Sequence, residues 1–150
     1  MNTKSTNQGD TQTSIELRIR TMRMLWTGML LSIGVWYVFL QFARRSENLA
    51  PNPTMSLTLL GVAVVSTLLS FLIKSKLLTK AVEQQQVLMV QQGYVVTWAI
   101  AEVAALLGML DFFATGDRYY HLFFIIAACG MLLHFPRREP VVNAAFKSTM

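Results

Sequence analysis

Cysteine is all but absent from this chain. Cys129 stands alone inside an apolar block, which excludes an intrachain disulfide and a cysteine-based metal cluster. As a lone thiol among apolar neighbours it is expected to act as a small buried apolar group. Histidine is almost as scarce. His121 and His134 are the only two, and their spacing on one helix sets them about 20 Å apart. They cannot jointly ligate one haem or one metal ion, and each falls at the end of an apolar block, where amphipathic rings serve as interfacial anchors. A Gly-rich phosphate loop, a zinc-type spacing and a nucleophile–base pattern are also missing. Neither a cofactor nor an enzymatic activity is expected.

Charge is the next shortage. Only 14% of the 150 residues are charged and 53% are hydrophobic, whereas soluble domains carry about 25% charged residues. The charges are crowded between four blocks that contain few or none. This is the pattern of a bilayer-spanning chain, and the mean hydropathy of +0.43 agrees with it. Four spans of ~20 residues leave too little chain for a separate soluble domain. The expectation is an all-α integral membrane four-helix bundle.

The spans fall at about 24–43, 55–73, 94–114 and 119–135, within a membrane domain covering 14–138. Residues 1–13 are a polar segment expected to be disordered, because it holds almost nothing to bury. Thr13-Ser-Ile-Glu16 fits a capping box, so a helix is expected from about Ser14. Met24–Ala43 is too long for a signal-peptide core, and no A-x-A-like site precedes Arg44. Pro51 and Pro53 mark the first loop, after which Thr54 or Ser56 can cap the second span. Lys74–Gln92 reads either as a helix on the membrane surface or as a prolonged end of span two. Thr115–Arg118 reads as a tight turn in which Gly116 takes the left-handed conformation, making spans three and four a hairpin. Pro136 ends span four, and 139–150 is a short tail.

The net charge of +5 and pI of 9.7 do not indicate nucleic acid, since no basic stripe or stacking platform accompanies the cations. They are orientation signals. Lys4, Arg18, Arg20, Arg23, Lys74, Lys76, Lys80, Arg137, Arg138 and Lys147 lie on one side of the four spans; Arg44, Arg45 and Arg118 lie on the other. The positive-inside rule then puts both termini in the cytoplasm, N-in and C-in, of a bacterial inner membrane. The bilayer itself is the first partner, with a membrane-protein partner or self-association beside it.

Glu102 is the candidate site. It lies about nine residues into the third span, hence ~13 Å deep and near the centre of a ~30 Å hydrocarbon core. A carboxylate there is costly and should face protein. Three readings follow: an ion or proton site; a protonated Glu hydrogen-bonded to Ser32, Ser66, Thr67 or Trp98 as glue between helices; or a contact with a polar group of another subunit. Ala101, Ala105 and Gly108 form a small-residue strip beside it that lets a helix approach closely, either span four with Ala127, Ala128 and Gly130 or a second copy. Asp111, about half a turn round and near the outer surface, is expected to meet Arg118, Arg44 or interfacial water, and Asp117 likewise.

Ala99-Ile-Ala-Glu-Val-Ala-Ala-Leu-Leu-Gly-Met109 resembles the acid-bearing helix of the proteolipid (c) subunits of rotary ATP synthases. That resemblance implies a proton-site role for Glu102 and covers roughly 20 of the 150 residues. The proteolipid's Gly-rich partner helix and Arg-Gln-Pro loop have no counterpart: the preceding span has one glycine, Gly61, and its loop is Lys/Gln-rich. A ring subunit is therefore not expected. More broadly, the chain resembles small four-span bacterial membrane proteins ending in a His-Phe-Pro-Arg-Arg type motif, here His134–Arg138. This likeness implies a multi-pass protein and carries no activity. A structural or accessory membrane subunit is the expected role, with a proton- or ion-translocating component as the alternative.

Overall fold

The structure is a computed structural model that describes residues 3–43, 52–115 and 118–146, with side chains from residue 12 onward. The described residues are helical apart from short turns. Five helices follow in order: α1 (Thr3–Phe42), α2 (Pro53–Glu83), α3 (Val87–Ala114), α4 (Tyr120–Leu133) and α5 (Arg138–Ala145). By length and apolar composition α1 (from Gln12), α2 and α3 can each cross a membrane. The pair α4 and α5, bent by 43° at a short break, makes a fourth candidate.

A regular seam organises the packing. The buried residues of α3 include Val90, Tyr94, Thr97, Ala101, Ala104, Gly108 and Asp111, spaced alternately four and three apart. On α2, Ser56, Ala63, Thr67, Ser70 and Ala81 are buried, and Leu60, Lys74 and Leu77, half-buried, complete the same alternation. A 3.5-residue repeat keeps one face of each helix turned to its partner and gives shallow, left-handed packing. Small residues dominate the seam, so the two backbones approach closely and gain dispersion contacts along their length. A Cβ placed on Gly93 would meet Leu77 Cβ at 3.3 Å. α3 is the centre of the bundle and packs on all four other helices. Of its most apolar stretch 44% is buried, against 11% for α1, which lies on the outside.

Several boundaries differ from the sequence expectations. α1 begins at Thr3 instead of about Ser14, so the Thr13–Glu16 capping box lies inside the helix. Extending an existing helix forms one hydrogen bond for each residue fixed, whereas starting one does not. α2 is capped by Asn52, whose side chain accepts from Met55 N at 3.1 Å, and not by Thr54 or Ser56. Pro53 then occupies the first helical position, where its fixed φ and missing N–H cost nothing. Of the two readings of Lys74–Gln92, the structure has the prolonged span: α2 runs on to Glu83 and α3 starts at Val87. Gln84–Gln86 form the turn, with Gln85 at φ 53°.

α4 is shorter than span 119–135. Its 14 residues reach about 21 Å. The tail expected after 138 instead contains α5, where Val141 and Ala144 are buried. Pro140 sits in the first turn of α5, where proline is tolerated. Arg44–Pro51, which include most of the proline loop, and Gly116 and Asp117 of the expected tight turn lie outside the described residues.

Candidate functional site

Glu102 sits near the middle of α3, on its half-buried flank. Its Oε1 lies 2.6 Å from Ser32 Oγ on α1, one of the four partners expected for it. Of the other three, Thr67 donates to Ala63 O at 2.9 Å and Trp98 Nε1 donates to His134 O at 3.0 Å. Ser32 Oγ is also 2.7 Å from Met29 O. A hydroxyl has one hydrogen for these two acceptors. When Ser32 donates to Glu102, the carboxyl oxygen accepts; when Ser32 donates back to Met29 O, a protonated Glu102 donates to Ser32. Both arrangements fit the same heavy-atom positions, so the pair tolerates either protonation state without moving a helix. Among the described residues no cation is ion-paired with Glu102.

The small-residue strip beside it is used within the chain. Ala101 and Ala105 are fully buried. A Cβ on Gly108 would lie 2.7 Å from Phe123 Cβ and 3.1 Å from the Phe124 ring, and one on Gly130 of α4 would lie 2.9 Å from Thr67 Cγ2 and 3.6 Å from Ala101 Cβ. The distances of 2.7, 3.1 and 2.9 Å are shorter than an ordinary carbon–carbon contact of about 3.5–4.0 Å, so α3 and α4, and α4 and α2, come together where glycine leaves room. The strip therefore meets span four, not the surface.

Two polar groups depart from expectation. His134 is not an interfacial anchor: it is fully buried at the end of α4. Its Nε2 is 2.6 Å from Ser70 Oγ, and its ring stacks on Phe71 with centroids 4.3 Å apart. Ser70 also lies 2.6 Å from Thr67 O, so its hydrogen goes to that carbonyl when His134 carries its proton on Nε2. Nδ1 has no partner. The Nε2–H tautomer leaves Nδ1 as a bare acceptor, which is less costly than a buried N–H without an acceptor. The break between α4 and α5 is fixed by the same corner, where Arg137 N donates to Tyr94 OH at 3.3 Å and Lys74 Nζ lies 4.8 Å from the centre of the Tyr94 ring. Ser70 and Phe71 of α2 and the Trp98 indole of α3 close over His134, and no local pattern around the histidine announces that.

Asp111 likewise does not lie at a wet outer surface. It is fully buried, and its Oδ1 accepts from Thr115 Oγ1, one helical turn on, at 2.8 Å. Among the described residues its Oδ2 and the buried Ser56 Oγ have no partner. Asn52 N donates to Thr115 O at 3.0 Å, which folds the start of α2 over the end of α3 and explains the burial. Cys129, expected to be buried, faces outward from α4.

The remaining cross-helix bonds join α1 to α4. Trp26 Nε1 donates to Met131 O at 2.8 Å, and Tyr37 OH is 3.2 Å from His121 Nδ1. Among the described residues no group of three or more His, Cys, Asp or Glu is placed to hold a metal ion. Among the described residues the polar groups Ser32–Glu102, Ser70–His134 and Tyr37–His121 thus bridge helices in separate pairs. No protein-family model matches the chain, and comparison with curated proteins and with solved structures likewise finds no match.

Proposed function

We propose that this chain is a four-span protein of a bacterial inner membrane, with both ends in the cytoplasm, that serves as a non-enzymatic structural or accessory subunit of a membrane complex. The observation that carries the reading is how the intramembrane polar groups are used. Glu102, His134, Trp26 and Trp98 each bond to a different helix of the same chain, which is the behaviour of interhelical glue. Support for insertion comes from the outer surface, where Leu31, Leu57, Leu68, Leu106 and Leu132 are each more than half exposed. An apolar surface of that extent is suited to lipid and unsuited to water.

The outward faces of α1 and α2 are then available to lipid or to another membrane protein. Purification of the tagged chain at native abundance in mild detergent, with mass spectrometry of co-purifying proteins, tests the reading. A membrane-protein partner in fixed stoichiometry is expected. A monodisperse, partner-free monomer would overturn it.

A second reading has one specific observation behind it. Glu102 is not fully enclosed, and its bond with Ser32 accommodates both protonation states of the acid. A proton-translocating component with Glu102 as carrier fits that geometry and the local likeness to proteolipid helices. Loss of the cellular phenotype in a Glu102→Gln protein that still assembles normally would favour this reading over the first.

A further inference from the structure

A cleft of ≈ 700 Å³ lies between α1 and α5, at the end of the bundle that carries most of the cations. Three guanidinium groups line it: Arg20 and Arg23 from α1 and Arg138 from α5. Glu16 is the one acid on its wall, so the lining carries a net charge of +2, three cations less one anion. Among the described residues none of the three arginines is held in an ion pair; Arg23 rests on the Phe135 ring, with its guanidinium carbon 5.6 Å from the centroid. The other end of the cleft is apolar and includes Met24, Gly28 and Leu31.

The cleft thus changes character along one face of α1. From Arg20 to Leu31 the helix rises about 16 Å, close to the ~15 Å of one bilayer leaflet. The charged end falls at the surface and the apolar end inside the hydrocarbon. Guanidinium groups match phosphate oxygens in charge and in planar, two-donor geometry. A soluble phosphate compound would use only the charged end. A phospholipid uses both, its head group between the arginines and an acyl chain along Met24, Gly28 and Leu31. Gly28 forms an open floor, since a Cβ there would meet nothing within 4 Å.

We infer that the α1–α5 cleft is a binding site for one anionic phospholipid of the cytoplasmic leaflet, its phosphate held by Arg20, Arg23 and Arg138. The inference rests on the membrane reading but not on the accessory-subunit role. Carbonate extraction of native membranes tests the membrane reading separately: release of the chain with peripheral proteins would overturn that reading, whatever the lipid result.

The test uses the full-length chain in detergent and native mass spectrometry with added phosphatidylglycerol, phosphatidylcholine or inorganic phosphate. Phosphatidylglycerol adducts should exceed phosphatidylcholine adducts. Two neutralised arginines, Arg20→Gln with Arg138→Gln, should weaken phosphatidylglycerol retention by roughly thirtyfold, given the contribution of each cation near an anionic lipid. Gly28→Leu, whose Cβ would meet nothing within 4 Å, adds bulk at the apolar end and should lower retention several-fold while leaving all charges in place. Arg18→Gln, which removes a cation outside the cleft, should leave retention unchanged. A loss with Arg18→Gln equal to that of the cleft variants would mean diffuse attraction and overturn the site. Displacement of the lipid by inorganic phosphate, or no effect of Gly28→Leu, would reduce it to a simple anion site and overturn the lipid assignment.

Discussion

Gly108→Ala is the substitution most sharply constrained by the packing. The added methyl would sit 2.7 Å from Phe123 Cβ, with the Phe124 ring at 3.1 and 3.3 Å. Phe123 Cβ is fixed to its backbone and cannot swing aside, so α4 must retreat from α3 by about 1 Å to restore a normal contact. Overpacking of this kind costs about 1–3 kcal/mol. The better helix propensity of alanine offsets up to about 1 kcal/mol of that, leaving a net loss of about 1–2 kcal/mol. Gly34 and Gly61 are the controls, because a Cβ at either meets nothing within 4 Å; alanine there should be neutral or stabilising by up to about 1 kcal/mol. Unfolding in mixed micelles by increasing SDS, followed by tryptophan fluorescence, gives the comparison through Trp98, which is fully buried. If Gly108→Ala unfolds at the same SDS fraction as Gly61→Ala, the close approach of α3 to α4 is refuted.

Further outcomes can be read in the same or simpler assays. In a double-mutant cycle of Ser32→Ala and Glu102→Ala, the coupling should be about 0.6 kcal/mol and at most about 1.7 kcal/mol, the average and maximum for polar pairs between membrane helices; additive effects would mean that the two side chains do not bond. Gln85 holds a left-handed conformation, so Gln85→Gly should stabilise the α2–α3 turn by up to about 1 kcal/mol and Gln85→Val should destabilise it by a similar amount. Equal effects of the two would rule out that turn. Reporter fusions at Ser46 and Ser148 should read outside and inside, respectively, and the reverse pattern would overturn the orientation argued from charge.

The apolar blocks were legible because charge is excluded from them and concentrated at their ends. The small-residue strip Ala101, Ala105 and Gly108 was legible because spacings of four and three residues put it on one face. The full seam was not, since a helix that is apolar all round offers no contrast between its faces. The turn at Gln84–Gln86 contains no glycine, proline or asparagine, so nothing local distinguished a prolonged α2 from a surface helix. His134 was misplaced because its position at the end of an apolar block suggested an interface, whereas Ser70 and Phe71 of α2 pack against its ring. Asp111 was misplaced for the same kind of reason, because the start of α2 folds over the end of α3 through Asn52 and Thr115. For Glu102 the chemistry of an intramembrane acid narrowed the partners to a short list that included Ser32. The choice among them depended on the rotation of α1, which its sequence alone leaves free.

Glu102 bonds to Ser32 of α1, and the proposed structural role requires that it carry no ions. Reconstitution of the purified chain into vesicles with a pH-sensitive dye inside and an imposed proton gradient tests it most directly. Proton leakage should be no faster than in protein-free vesicles, and the same for wild type and Glu102→Gln. A conductance present in wild type and abolished in Glu102→Gln, with the variant folded and inserted to the same extent, would contradict it.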